Sequence, residues 1–329
     1  MNITILGAGA MGSLFGGLLA EAGASVTLLD VNRQHLDAIR RDGLRLETDD
    51  FSRRITHLAA CRPEEASQIP DLLTIFTKTH QIGAALTSAR HLLGPDTWVL
   101  TLQNGLGNVE AISAFVPRER ILVGVTTIPA DYIGPGIVRS HGGGQIRMAA
   151  ADPSAAPISD RCMLATVVDL LTSAGLPCSA DPNVWAAIWE KVAFNAAFNA
   201  LCAVTGCTVE QIELVPSGPT TALAVVAEVI AVAHASRIHA SLARVEAMVR
   251  ESFRTHAGHQ PSMLQDILAH RHTEIDSING AVVRSAAQHA IPVPNTAMLY
   301  TLVRLIEAQQ LQSAAGSACS HREELVAPS

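Results

Sequence analysis

A lysine and two asparagines recur every four residues in a stretch that is otherwise almost entirely apolar. Lys191, Asn195 and Asn199 belong to the segment WAAIWEKVAFNAAFNAL, residues 185–201, which is rich in alanine and has no glycine or proline. Such a segment is expected to be a helix, and at about 100° per residue the three polar side chains share one face. We interpret this face as the polar wall of an active-site cleft, with Lys191 as a proton donor. The alternatives are a solvated stripe on an amphipathic helix, or core amides bonded to the backbone.

A second group of polar residues lies further along the chain. Ser262 opens the segment SMLQD, and Glu274 lies in the segment TEID. Each also has a structural interpretation, since Ser262 stands at an expected helix N-cap. Glu274 is expected in the first turn of the next helix, where the helix dipole favours a carboxylate. We predict no metal centre, because the spacings of the nearby histidines match no common zinc site; these are His256, His259, His270 and His272.

A glycine-rich turn near the start of the chain predicts a nucleotide-binding site. The segment GAGAMG follows a short apolar strand and opens a helix that we expect to end near Glu21. In this βαβ context the first glycine permits a tight turn, the second lets a pyrophosphate approach the backbone, and the third permits close helix packing. The helix N-terminus supplies N–H donors and a positive dipole. The predicted cofactor contacts in this turn are Gly7, Ala8, Gly9, Ala10, Met11 and Gly12.

Two residues near the end of the second expected strand bear on the choice of nucleotide. Asp30 is placed to accept hydrogen bonds from the ribose hydroxyls, and its carboxylate would repel the 2′-phosphate of NADP. Arg33 could instead pair with that phosphate. Asp30 could also be only a cap for the helix that begins near Asn32. The sequence therefore predicts NAD(P)H as cofactor, and Asp30 slightly favours NADH.

Lys78 and Asn104 follow two further apolar segments, residues 72–76 and 98–102, which we interpret as buried strands. Ligands of open α/β sheets bind at the carboxyl ends of the strands. Both residues are therefore candidates for the nicotinamide end of the cleft. The alternative is that they are ordinary loop residues.

The elements that must position these residues change type partway along the chain. Strands and helices alternate in the first half, whereas the second half shows only helical patterns. We predict an α/β, Rossmann-type dinucleotide-binding domain over residues 1–182 and an all-α substrate and catalytic domain over residues 183–312. The segment 313–329 is small and polar, and we expect a disordered tail.

The composition limits the class of protein and its partners. Of the 329 residues, 48% are hydrophobic and 16% charged, which permits a sizeable core. A formal net charge of −7 and the lack of a long Lys/Arg cluster argue against a nucleic-acid partner. No uninterrupted run of about 18 strongly apolar residues suggests a membrane span. The six cysteines form no CxxC pair, so we expect reduced thiols in a cytoplasmic protein.

The order of these motifs resembles that of the ketopantoate reductases (2-dehydropantoate 2-reductases). The resemblance runs from residue 1 to about residue 310, and its most specific parts are the K-x3-N-x3-N helix and the SMLQD and TEID…NG segments. It implies NAD(P)H-dependent reduction of 2-dehydropantoate to pantoate, a step of pantothenate and coenzyme A biosynthesis. It also implies that Lys191 is the general acid and that Glu274 is catalytic, contacting cofactor or substrate. The implied substrate contacts are Asn104, Asn195, Asn199 and Ser262, with Lys78 and Asn104 beside the nicotinamide.

Two departures from the family pattern leave alternatives open. Val209 stands near the position where members commonly carry another substrate-contacting asparagine. Asp30 stands where many members carry arginine or lysine for NADP, and the resemblance by itself implies NADPH, which the family uses more often. One alternative is a dehydrogenase of the same fold that acts on a different 2-oxo or 2-hydroxy acid. Another is an NAD(P)-sensing protein without turnover. The sequence does not fix the oligomeric state, and a homodimer is retained as a hypothesis.

Overall fold

The computed structural model describes residues 1–152, 158–255, 258 and 260–324, with the backbone alone at residues 158–161, 255 and 313–324. The chain divides into two compact units. The first comprises Met1–Gln103 and Gly107–Ala187, and the second comprises Asn104–Leu106 and Ile188–Ser329. The predicted domain boundary at residue 182 lies shortly before this division, which falls inside a continuous helix.

The first unit contains two β-sheets and the helices that cover them. Its strands are β1 (Asn2–Leu6), β2 (Ser25–Leu29), β3 (Leu44–Glu47), β4 (Ser52–Ile55), β5 (Ala59–Cys61), β6 (Leu72–Ile75), β7 (Trp98–Thr101), β8 (Ile121–Thr126), β9 (Asp131–Gly134), β10 (Ile137–Arg139), β11 (Ile146–Ala150) and β12 (Cys178–Ala180). Its helices are α1 (Ala10–Glu21), α2 (Arg33–Asp42), α3 (Ile82–Ser88), α4 (Asn108–Ile112) and α5 (Ile158–Ser173).

The larger sheet has the strand order β12-β11-β8-β7-β6-β1-β2-β5. Its neighbouring strands are parallel, except that β8 and β11 are antiparallel. Strands β6 and β7 are buried at every position, because helices cover both faces of a parallel sheet. Continuous apolar runs made these strands visible in the sequence. The α/β, Rossmann-type prediction is confirmed.

The smaller sheet has the order β4-β3-β10-β9. Strands β9 and β10 form an antiparallel pair within it, at the start of the glycine-rich segment 134–144. No sequence pattern indicated β3, β4, β5, β11 or β12. These strands are three to five residues long, which is too short to show a clear period in the sequence.

The second unit is helical in its described residues, as predicted. Its helices are α6 (Val184–Thr205), which starts in the first unit, α7 (Ser217–Ala235), α8 (Leu242–Thr255), α9 (Ser262–Leu268), α10 (Asn279–Gln288) and α11 (Pro294–Glu324). Helix α7 packs against α8, α10 and α11. The backbone is helical to Glu324, and residues 325–329 lie outside the described part of the chain. The expected disorder of residues 313–329 stays a prediction.

Helix α7 is the one described helix that is long and apolar enough to span a membrane, with a mean hydropathy of 1.4 over its most apolar window. Its contacts are those of a core helix. Val225 and Val229 are fully buried within the unit. Its Glu228 accepts hydrogen bonds from the backbone N–H groups of Asn295 (3.0 Å) and Thr296 (2.8 Å), and so caps helix α11.

Two structural interpretations made from the sequence are wrong. Helix α10 begins at Asn279, and residues 275–278 form a turn that precedes it. Glu274 therefore does not lie in the first turn of a helix. Ser262 is the first residue of α9, whose N-cap is Pro261, and no side chain caps that helix. Neither residue caps a helix in the way that we expected, and the functional interpretation of both stays a prediction.

Candidate active site

The turn between β1 and α1 has the geometry needed to receive a pyrophosphate. Gly7 adopts φ +99°, a conformation that side chains rarely permit. A Cβ atom on Gly12 would lie 2.0 Å from the Gly7 carbonyl oxygen, so only glycine allows α1 to pack this closely. A Cβ atom on Gly9 would meet nothing within 4 Å, which leaves open space beside the N-terminus of the helix. No side chain caps that N-terminus, so its N–H groups are suited to an anion.

Asp30 follows β2 and is partly exposed. Its Oδ1 atom accepts a hydrogen bond from the Asn32 N–H at 2.9 Å. The N-cap of α2 is Asn32, whose side chain accepts from the His35 N–H at 3.2 Å. Asp30 is therefore not the N-cap itself, although its carboxylate binds the N–H of the N-cap residue, and its role toward the cofactor stays a prediction. Arg33 is exposed in the first turn of α2, close to Asp30 along the chain.

Polar residues gather where β6 and β7 end, as the strand-end rule predicted. The Gln103 Nε2 atom donates a hydrogen bond to the Thr77 carbonyl at 2.5 Å, which ties the two strand ends together. Lys78 is partly buried, and its N–H lies 3.3 Å from Gln81 Oε1. The Thr77 hydroxyl is buried and has no hydrogen-bond partner among the described residues. A bound ligand would satisfy such a group.

In the second unit, the charged groups of Lys191 and Glu274 interact electrostatically. Lys191 is partly buried and Glu274 is buried. Burial lowers the pKa of Lys191 to about 8, because desolvation disfavours the ammonium, while the charge of Glu274 opposes this shift. Near neutral pH the group remains mostly protonated but is a stronger acid than an ordinary lysine. These properties suit a proton donor.

Asn104 joins this pair because its segment is fastened to the turn that carries Glu274. Its Nδ2 atom lies 3.5 Å from Glu274 Oε2. The Leu106 N–H donates to the Ser277 carbonyl at 2.8 Å. A Cβ atom on Gly105, which has φ +83°, would lie 2.5 Å from the same carbonyl oxygen. The glycine thus permits the close approach that places Asn104 beside Glu274.

The other residues predicted to contact the substrate are Asn195, Asn199 and Ser262. Asn195 and Asn199 are buried on α6, at helical spacing from Lys191. Ser262 is exposed. The substrate contacts of all three stay predictions. Val209, at the departure from the family pattern, is buried, so its side chain belongs to the packing of the second unit.

Sequence reasoning missed the residues that hold this site in place. Glu190 accepts two hydrogen bonds from Arg244, at 2.8 and 3.0 Å, and so anchors α6 next to Lys191. Glu307 accepts from the Thr273 N–H at 2.8 Å, directly before Glu274. These partners are far apart along the chain, and no local pattern in the sequence marks them.

The described residues contain no group of three or more His, Cys, Asp or Glu side chains that could hold a metal ion. Of the four histidines considered from the sequence, His256 and His259 lie outside the described residues.

Comparisons with known proteins match both parts of the chain to the same protein family. The family model "Ketopantoate reductase PanE/ApbA" matches residues 3–153, and its C-terminal counterpart matches residues 183–307. The chain is 34% identical over 309 residues to the 2-dehydropantoate 2-reductase of Streptococcus pyogenes, covering 94% of this chain and 98% of that protein.

Two solved structures are similar over nearly the whole chain. One is D-mandelate dehydrogenase with NADH and anilino(oxo)acetate, with a TM-score of 0.88 and 31% identity, covering 94% of this chain and 99% of the other. The second is 2-dehydropantoate 2-reductase from Geobacter metallireducens, with a TM-score of 0.86 and 30% identity, covering 93% and 99%.

Proposed function

We propose, from the premise that the chain belongs to the ketopantoate reductase family, that it reduces 2-dehydropantoate to pantoate with a pyridine nucleotide. It is an NAD(P)-dependent oxidoreductase of pantothenate biosynthesis. The observation that carries the proposal is the partly buried Lys191, whose pKa is lowered to about 8 and whose charge is supported by Glu274. A nucleotide sensor without turnover would need no such acid.

Reduction of a 2-oxo acid needs a hydride at C2 and a proton at the C2 oxygen. Bound NAD(P)H supplies the hydride. Lys191 donates the proton to the oxygen from its ammonium group. Glu274 favours the charged form of Lys191, and Asn104 orients the Glu274 carboxylate through the 3.5 Å contact. Because the donor is partly desolvated, its interaction with the developing oxyanion is stronger than it would be in water.

Substrate recognition falls to polar groups on α6 and α9. The amides of Asn195 and Asn199 both donate and accept hydrogen bonds, and we assign them to the oxygen atoms of the substrate. Ser262 is assigned to the substrate carboxylate. Its exposed position in the first turn of α9, where it makes no capping hydrogen bond, supports this assignment.

The first unit binds the cofactor through residues that we predicted from the sequence. Gly7–Gly12 and the N-terminus of α1 take the pyrophosphate, and Lys78 is assigned to the nicotinamide end. We favour NADH, because Asp30 is partly exposed at the end of β2 and would oppose a 2′-phosphate. The NADH bound to the similar D-mandelate dehydrogenase agrees with this choice. Arg33 is the residue that could reverse it.

A second candidate is a dehydrogenase for another 2-oxo or 2-hydroxy acid. The similarity to D-mandelate dehydrogenase, at a TM-score of 0.88, favours this alternative. The departure at Val209 favours it as well, because members commonly carry a substrate-contacting asparagine in that neighbourhood. A substrate with an apolar side chain would need fewer amide contacts.

A substrate screen separates these candidates. The purified protein is assayed with 2-dehydropantoate, with an aromatic 2-oxo acid and with a short aliphatic 2-oxo acid, each with NADH and NADPH. We expect the highest kcat/KM for 2-dehydropantoate. A preference of about tenfold for the aromatic acid, about 1.4 kcal/mol, would establish the second candidate. Nucleotide binding without turnover of any acid would indicate a sensor.

We place the enzyme in the cytoplasm, in keeping with its unpaired described cysteines. Its partner is a small 2-oxo acid rather than a nucleic acid or a membrane. A homodimer stays a hypothesis, and light scattering on the purified chain tests it directly.

A further inference from the structure

A continuous chain of hydrogen bonds links the glycine-rich turn to α2 and to the hairpin of β9 and β10. The Ser13 hydroxyl lies 2.8 Å from the Ala8 carbonyl oxygen. His35 Nε2 lies 3.0 Å from Ser13 Oγ, and the Gly136 N–H lies 2.9 Å from His35 Nδ1. Ser13 and His35 are 0% and 1% exposed, so no water competes for these contacts.

The geometry permits only one direction for these hydrogen bonds. A backbone N–H can only donate, so His35 Nδ1 must accept from Gly136 and carries no proton. In the neutral ring the proton is then on Nε2, which donates to Ser13 Oγ. The Ser13 hydroxyl donates in turn to the Ala8 carbonyl. His35 is thereby held as one neutral tautomer.

The last acceptor in this chain belongs to the turn that receives the pyrophosphate. In a planar trans peptide, the carbonyl of Ala8 and the N–H of Gly9 point in opposite directions. Because Ser13 binds the carbonyl on the inner side, the Gly9 N–H faces away from the protein core. The space beside Gly9 is open, since a Cβ atom there would meet no other atom within 4 Å. An outward N–H at a helix N-terminus is a donor for phosphate.

We propose that Ser13 and His35 are positioning residues for the cofactor, fixing the peptide between Ala8 and Gly9 so that its N–H meets the nucleotide pyrophosphate. The proposal also makes cofactor affinity sensitive to acid, because a second proton on His35 must go on Nδ1. That proton would face the Gly136 N–H and break the chain. The proposal rests on the dinucleotide binding of the proposed function, and it is independent of which 2-oxo acid is reduced.

The groups around His35 determine the pH at which the ring takes up a second proton. Burial lowers the pKa of His35, and the nearby charge of Asp30 and the Ala8 carbonyl oppose that shift. The Tyr132 ring packs against the imidazole, with centroids 5.1 Å apart. The neutral ring is therefore kept at neutral pH, and the effect appears only under acidic conditions.

The test measures the Kd of the whole protein for NADH and for ADP-ribose, which both contain the pyrophosphate. Ser13→Ala is expected to weaken both ligands by about tenfold, or about 1.4 kcal/mol. His35→Gln keeps one acceptor and one donor but does not titrate. We expect it to bind NADH as the wild type does near neutral pH. As the pH falls below the ordinary histidine pKa of about 6.5, the wild type should lose affinity while His35→Gln does not.

Two matched controls separate positioning from general loss of a hydrogen bond. Ser113→Ala removes a hydroxyl that donates to the Val109 carbonyl at 2.9 Å in the same unit. His57→Ala removes a ring contact of 2.9 Å to the Ala20 carbonyl on the same helix α1. Both should leave the Kd for NADH within about twofold of the wild type.

Two results would overturn the proposal. One is a folded Ser13→Ala protein whose Kd for NADH and ADP-ribose equals that of Ser113→Ala. The other, decisive even if Ser13→Ala does not fold, is the same acid dependence of the Kd in the wild type and in His35→Gln. If instead the cofactor results are as expected but 2-dehydropantoate is not reduced, the substrate of the proposed function is wrong and this proposal stands.

Discussion

At the scale of single residues, the buried environment of Lys191 makes its ammonium group a stronger acid. An ordinary lysine has a pKa of about 10.4 and is a poor acid at neutral pH. Burial brings the pKa of Lys191 to about 8, where proton transfer to an alkoxide is better matched. Of the 23 Lys and Arg residues in the chain, two are lysines, Lys78 and Lys191, and the others are arginines. Because arginine does not titrate in this range, this choice of residue is a further sequence signal for the site.

Replacing Lys191 tests its role as the acid. Lys191→Ala should lower kcat by at least about 100-fold, as expected for loss of a general acid. Lys191→Arg keeps the positive charge but cannot release a proton, so we expect a loss of similar size. The Kd for NADH should stay close to that of the wild type in both variants. Near-normal turnover of Lys191→Ala would remove this residue from the mechanism.

The pH dependence of kcat reports the same group. Lys191 must be protonated to act as a donor, so kcat should fall as the pH rises through about 8. The Glu274 charge raises this pKa. In Glu274→Gln the alkaline limb should therefore move to lower pH, in addition to any loss of rate. An alkaline limb at the same pH in both proteins would show that Glu274 does not act on the titrating group.

Asp30 and Arg33 make opposite contributions to cofactor choice. Two unit charges about 4 Å apart interact by about 4 kcal/mol at an effective dielectric of 20, and exposure and salt reduce this considerably. We expect a higher kcat/KM with NADH than with NADPH, and a smaller preference in Asp30→Ala. Steady-state kinetics with both cofactors measure this. A wild-type preference for NADPH that disappears in Arg33→Ala would show that the arginine dominates.

At the scale of elements, the glycines in the turn between β1 and α1 are required for different reasons. Gly12 is required by packing, since a Cβ atom there would lie 2.0 Å from the Gly7 oxygen. Gly9 faces open space. The motif predicts both positions equally well, and only the tertiary contacts tell them apart.

The two alanine variants should accordingly fail in different ways. Gly12→Ala should destabilise the fold by roughly 1–3 kcal/mol or more, as overpacking does, and should lower Tm without ligand. Gly9→Ala should fold with nearly the wild-type Tm but bind NADH at least about tenfold more weakly, because its methyl group occupies the ligand's space. Thermal melts and titrations on both proteins measure this. Equal losses of Tm would contradict the distinction.

The turn that carries Glu274 is a second element whose form the sequence did not predict. Ser277 closes it with a hydrogen bond of 3.0 Å to the Glu274 carbonyl, and Glu307 holds the Thr273 N–H at 2.8 Å. These contacts replace the helical turn that we expected. They come from the turn itself and from α11, and together they direct the Glu274 side chain toward Asn104.

At the scale of the whole molecule, buried neutral groups limit stability in acid. His35 has a pKa below that of an exposed histidine because it is buried. The unfolded chain therefore binds a proton at a higher pH than the folded chain does. This contribution to stability is fully present above the ordinary histidine pKa, about 6.5. It is lost as the pH falls from there through the folded pKa.

Urea denaturation measures this linkage. The free energy of unfolding of the wild type should decrease between about pH 7 and pH 5. In His35→Gln the decrease should be smaller, because glutamine does not titrate and the contribution of His35 is removed. Parallel decreases in the two proteins would assign the whole effect to other groups.

The sequence by itself determined the features that depend on neighbouring residues. Helical spacing placed Lys191, Asn195 and Asn199 on one face, and α6 has the expected form. Apolar runs located the central strands, and the glycine spacing located the tight turn between β1 and α1. These patterns are local, because backbone periods of 3.6 and 2 residues repeat within a few positions along the chain. The α/β and all-α division follows from the same periods.

Only the tertiary structure decided which distant residues meet. Asn104 lies beside Glu274, 170 positions further along the chain, and this contact needs the close approach of Gly105 to Ser277. The tertiary structure also moved Glu274 out of a helix and linked His35 to the glycine turn through Ser13. A hydrogen bond or a pKa depends on the atoms around a group, and those atoms come from segments that no local pattern connects.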